Sequence, residues 1–151
     1  MTPLSQPFDP FISSEESHEL AVRLAPAIKV ALGIKRFATK QYVYHLERII
    51  LNLYLAQSSN PDKCVGISRQ KNYYDGDQVF YQNQSLSFTY MVNTLDALEN
   101  LGYIQMVQKG WIDLFSGVSK TTRYKPEKSL IDLFDEHDRN HQSVAKQGEP
   151  L

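Results

Sequence analysis

At 151 residues, 42% apolar and 22% charged, the chain is long enough for one core-bearing domain and has neither a disordered nor a fibrous composition. No run approaches the roughly 18 apolar residues of a membrane span, and Met1–Pro7 has neither the basic start nor the apolar run of a signal peptide. With a net charge of −1 and Cys64 as its single cysteine, the chain has no internal disulfide and is expected in the cytoplasm.

Residues 1–14 contain three prolines and little periodicity, which predicts a flexible arm. Ser13 or Ser14 is then placed to cap a helix whose first turns carry Glu15, Glu16 and Glu19. Leu20, Leu24, Ile28 and Ala31 form its apolar stripe, and Gly33 is a plausible stop. Pro26 predicts a kink or two short helices near Ala25. A second helix, capped by Thr39, places Val43, Leu46, Ile50 and Leu53 on one face, with Ile49 and Ala56 widening it. Ser58-Ser59-Asn60-Pro61-Asp62 ends it.

From Pro61 to Asn83 the pattern weakens. Cys64–Ser68 and Val79–Tyr81 read as short strands around the turn chemistry of residues 72–77. Ser87 opens another helix with Phe88, Met91, Val92, Leu95, Leu98 and Leu101 as its buried side, and Gly102 supplies the left-handed residue that ends it. Its expected solvent side is Thr89, Tyr90, Asn93, Thr94 and Asn100, flanked by Asp96 and Glu99. Tyr103–Lys109 and Thr121–Lys125 read as strands, the second ended by Pro126. A last helix follows from Glu127 to about Asp138, with Leu130, Ile131 and Phe134 apolar. This gives one domain over 15–138 and an acidic tail over 139–151.

Charge is unevenly distributed: residues 1–19 carry −4, residues 129–151 carry −3, and residues 20–128 hold fourteen bases against eight acids. A basic body between acidic ends suits a polyanion partner. Thr89, Tyr90 and Asn93 form one patch near a helix start, with Thr94 beside it, where asparagine can pair with adenine and a threonine methyl can meet thymine. Lys109, Lys120, Arg123 and Lys125 on the strand pair are expected phosphate contacts, and Arg69 and Lys71, interleaved with Tyr73, Tyr74 and Tyr81, extend that footprint. The bland alternatives are a solvated helix face, a strand edge charged against aggregation, and tyrosines closing a satellite cluster.

Asp96-Ala97-Leu98-Glu99-Asn100-Leu101-Gly102-Tyr103-Ile104 resembles the junction between recognition helix and wing in winged helix-turn-helix proteins. Gly117-Val118-Ser119-Lys120-Thr121-Thr122-Arg123 is similar to their wing tip and return strand. The likeness spans about residues 40–134, and the layout is similar to winged-helix domains of plasmid and phage replication initiators and of bacterial transcription regulators. It implies a mainly helical α+β winged-helix core with extra N-terminal helices and a two- or three-stranded antiparallel wing. It also implies sequence-specific binding of double-stranded DNA, in plasmid replication initiation or transcription regulation. The sequence departs from the pattern at residues 61–86, where only a turn around Gln84-Ser85-Leu86 stands in for the first helix of the helix-turn-helix pair.

The alternative reading is a protein-interaction module that uses the apolar wing residues Trp111, Ile112, Leu114 and Phe115. An exposed apolar stripe on the N-terminal helices would add a homodimer. Catalysis is not expected. There is no HExxH, phosphate-cradling glycine loop or Gly-x-Ser-x-Gly elbow, and His137 and His141 lie in an acidic segment without further ligands, so neither metal nor cofactor is implied.

Overall fold

A computed structural model describes residues 5–67, 87–109, 111–112, 119–120 and 122–137. It is α+β and mostly helical. In chain order the elements are β1 (Ser5–Pro7), α1 (Glu15–Leu32), α2 (Thr39–Ser59), β2 (Cys64–Ile67), α3 (Phe88–Asn100), β3 (Ile104–Gln108), β4 (Trp111–Ile112), β5 (Ser119–Lys120) and β6 (Thr122–Pro126), followed by a helix α4 over 128–137. Val79–Tyr81, Gln84–Leu86, Leu114, Phe115 and the segment 139–151 lie outside the described residues.

α1 begins where its polar residues dictate. The Ser17 amide donates to Ser14 Oγ and the Ser14 amide to Ser17 Oγ, both at 3.0 Å, which closes a capping box. Pro26 does not divide the helix: 15–32 is continuous. Its ring sits on the exposed side, where water can take the Val22 carbonyl that proline's missing N–H leaves without a helical partner. Gly33 ends α1 at φ 64°.

α2 is the central pillar. Tyr42, Leu46, Ile49, Ile50, Leu53 and Ala56 are buried, and it packs against α1, α3, β2 and β6. Thr39 is its first helical residue rather than its cap. Ala38 holds the cap position and offers no side-chain acceptor.

The sheet order is β1-β2-β6-β3, with β1 parallel to β2 and the other neighbours antiparallel. Residues 5–14 are therefore not a free arm. β1 adds an edge strand, the Phe8 amide donates to the Gly66 carbonyl, and the Phe8 ring is 4% exposed. Asn52 then grips the Asp9 backbone from α2, accepting from its amide at 2.8 Å and donating to its carbonyl at 2.9 Å. Arg48 Nε donates to the Pro10 carbonyl.

α3 ends in a Schellman motif: the Tyr103 amide donates to Leu98 and the Gly102 amide to Glu99, with Gly102 at φ 82°. That turn feeds β3 directly. On β6, Thr122, Tyr124 and Pro126 are buried on the core side with Val65, Ile67 and Ile104. Leu130 and Phe134 of α4 close the core, with Phe134 stacked on Tyr54 at 4.3 Å.

Candidate nucleic-acid interface

α3 presents fewer polar residues than its composition predicts. A helix turns 100° per residue, so Met91, Thr94, Leu95 and Leu98 share one stripe, and Thr94 is buried within it. Its hydroxyl donates to the Tyr90 carbonyl at 2.6 Å. Thr94 is therefore a core residue and not a contact residue. Tyr90 is half-buried, its ring edge-on to Tyr42 at 4.9 Å and 5.7 Å from His45. Thr89 is exposed, and Asn93 is half-buried with its Nδ2 donating to the Tyr42 hydroxyl at 3.3 Å. Asp96 and Glu99 are also exposed along α3, which carries no base.

The strand cations do not share that side. Alternation along β6 turns Arg123 and Lys125 to the sheet face opposite the core, away from the helices. There Arg123 Nη1 donates to Gln108 Oε1 at 2.8 Å, and Gly66 is its partner in register. Cys64 is buried, and burial pushes its thiol pKa up despite the charges of Lys125 and Arg123 nearby. An inert thiol results. Lys109 is exposed at the end of β3, and Lys120 belongs to β5, whose register partner is Trp111. Arg69 and Lys71 lie outside the described residues.

A set of bases that composition alone does not single out lies at the turn between α1 and α2. Lys35, Arg36 and Lys40 are exposed on the link between α1 and α2 and on the first turn of α2. Phe37 stacks on Tyr42 at 4.3 Å with rings 6° apart. Tyr42 in turn meets Tyr90 and Asn93, so its buried ring joins Phe37 of the α1–α2 link to the first half of α3. The uncapped start of α2 adds the positive end of a helix dipole with no acid in its first turn. The overlooked signal is a run: residues 20–46 hold Arg23, Lys29, Lys35, Arg36 and Lys40 and no acid.

His45 anchors this surface from below. It is 0% exposed, with Nδ1 2.7 Å from the Gln41 carbonyl and Nε2 accepting from the Ser87 amide at 2.9 Å. The two bonds define a neutral Nδ1–H tautomer. Burial, the largest influence, lowers its pKa from 6.5. No signal in the sequence tied His45 to the start of α3, because the residues are 42 positions apart.

A second polar cluster lies between α1 and α2. Glu47 is buried, accepts from Arg48 Nη1 at 2.8 Å, and has Oε2 2.6 Å from His18 Nδ1. His18 and Glu47 line a cleft of about 300 Å³ with Val22, Thr39, Lys40, Val43 and Tyr44. On the other side of α1, His137 pairs with Glu19, and Glu16 lies 3.9 Å from it. Among the described residues no group of three or more His, Cys, Asp or Glu side chains is placed to hold a metal ion.

The chain matches no family model, no curated protein and no solved structure.

Proposed function

We propose that the chain binds double-stranded DNA without catalysis, through a winged-helix unit built from α2, β2, α3, β3 and β6. The observation that carries this reading is the strand order β2-β6-β3. A short strand between two helices pairs with the second strand of the hairpin that follows α3, a pairing that a winged helix would also require. α1, β1 and α4 are additions to that unit.

The contact surface differs from the one the polar composition of α3 predicts. Thr89 and Asn93 are the base-reading residues, at the N-terminal half of α3 where a recognition helix meets base edges. Lys35 and Arg36, on the link next to Phe37, neutralise phosphates beside them, and Lys109 and Lys120 do so from the hairpin. Thr94 is not part of the surface, and Arg123 and Lys125 brace the far face of the sheet. The role that fits is site-specific regulation of replication or transcription.

Fluorescence anisotropy against a random duplex pool tests this over a salt series. Binding is expected to weaken log-linearly with salt, and Lys35→Ala and Arg36→Ala each to flatten the slope by about one unit. Asn93→Ala is expected to relax sequence preference in the bound fraction with little change in slope. Absence of duplex binding at low salt overturns the proposal, as does an affinity that salt does not change. The latter would move the reading to the apolar segment around Trp111 and a protein partner.

A further inference from the structure

We propose that α1 forms a two-fold homodimer, antiparallel helix on antiparallel helix, with the symmetry axis at Val22. Among the described residues seven large apolar side chains are exposed, and four belong to this helix and its ends: Phe11 at 56%, Val22 at 52%, Val30 at 81% and Ile34 at 36%. Pro26 is exposed between them. Apolar residues singly on a surface need no explanation, but a row along one helix face does.

The occupant is argued from charge and symmetry. Glu15, Val22 and Lys29 are all exposed and stand seven residues apart, so they lie on one face about two turns from each other. A two-fold axis at Val22 in an antiparallel pair exchanges the two ends, placing Glu15 of each copy opposite Lys29 of the other. The same operation sets Val22 on Val22 and Pro26 opposite His18, at the cleft that His18 and Val22 border. Acid at the start of α1 and base at its end make the face complementary to itself only in the antiparallel sense. A parallel pair would stack like charges. An isologous contact requires this self-complementarity, and a partner of different sequence would not.

The proposal does not depend on DNA binding, and its test contains no DNA. Sedimentation equilibrium of the full chain is expected to give a dimer that dissociates on dilution. Glu15→Lys alone and Lys29→Glu alone should each weaken association by about tenfold or more. The double charge reversal should bring it back to within a few-fold of wild type. Each reversal opposes the α1 dipole, so recovery in the double variant cannot come from a better-folded helix. Val22→Asp should be monomeric with an unchanged circular dichroism spectrum. A wild-type chain that stays monomeric at every concentration overturns the proposal and leaves the face to segment 138–151 or another protein. A double variant as weak as the single ones overturns it equally.

Discussion

His45 shows how one buried side chain can fix the start of a helix 42 positions along the chain. Its Nε2 lone pair holds the Ser87 amide, the last backbone group before α3 begins. Protonation would turn that acceptor into a donor facing another donor. Because burial lowers the folded-state pKa below 6.5, the unfolded chain takes up the proton first as pH falls. Stability from His45 is thus complete above about pH 6.5 and is lost as pH drops toward the depressed folded value, at up to ~1.4 kcal/mol per pH unit. Urea unfolding between pH 7.5 and 5 checks this: the wild-type midpoint should fall, and His45→Gln, which keeps an amide acceptor without titrating, should show a shallower fall. Equal slopes would remove His45 as the titrating group. Thr94 carries the complementary lesson. Its residue type suggests solvent, but its spacing from Met91 and Leu98 places it in the core, and spacing wins because burying Met91, Leu95 and Leu98 outweighs one hydroxyl that finds the Tyr90 carbonyl.

Among the elements, those written in local periodicity and cap chemistry were legible. α2 and α3 follow from i, i+3, i+4 spacing, and Gly33 and Gly102 mark helix ends because both take φ above +60°. β1 was illegible for a physical reason. Three residues between prolines carry no pattern, and the strand exists only because Cys64–Ile67, far along the chain, offers an open edge. Its anchor is Phe8, in a segment without periodicity, whose burial depends on α2 and β2 already being assembled. Phe8→Ala should therefore cost about 3 kcal/mol, the usual penalty for emptying a buried phenylalanine site, and should speed amide exchange at residues 5–9 beyond the global change. A loss below about 0.5 kcal/mol would mean that the N-terminal segment lies on the fold without supporting it. Pro26 did not divide α1, and both Pro26 and Val22, whose carbonyl loses its helical donor, are exposed residues.

At the scale of the whole molecule, the sheet separates two sets of cations that look alike in the sequence. Arg123 and Lys125 alternate with buried Thr122 and Tyr124 and so face away from the helices, whereas Lys35 and Arg36 precede Phe37, whose ring stacks on Tyr42 beside Tyr90 and Asn93. No reading of charge by residue number distinguishes them, since the partition is made by the pleat of β6 and by the Phe37–Tyr42 stack. The same arrangement leaves α3 with opposite tendencies along its length, Thr89 and Asn93 toward one end and the exposed acids Asp96 and Glu99 toward the other. If duplex approaches the N-terminal half of α3, Asp96 stands one turn from the nearest phosphates and repels them, and removing its charge should help. Asp96→Asn is expected to tighten duplex binding a few-fold at low salt, worth about 1 kcal/mol, with the gain disappearing as the Debye length shrinks to a few ångströms near 1 M salt. Glu99 accepts from the Met106 amide and ties α3 to β3, so its neutralisation would change stability as well as binding. Anisotropy titrations of the wild type and Asp96→Asn on one duplex, at two salt concentrations, decide the matter. An affinity unchanged at low salt would place the phosphates away from α3 altogether, and the basic link between α1 and α2 would then have to bind DNA without the helix beside it.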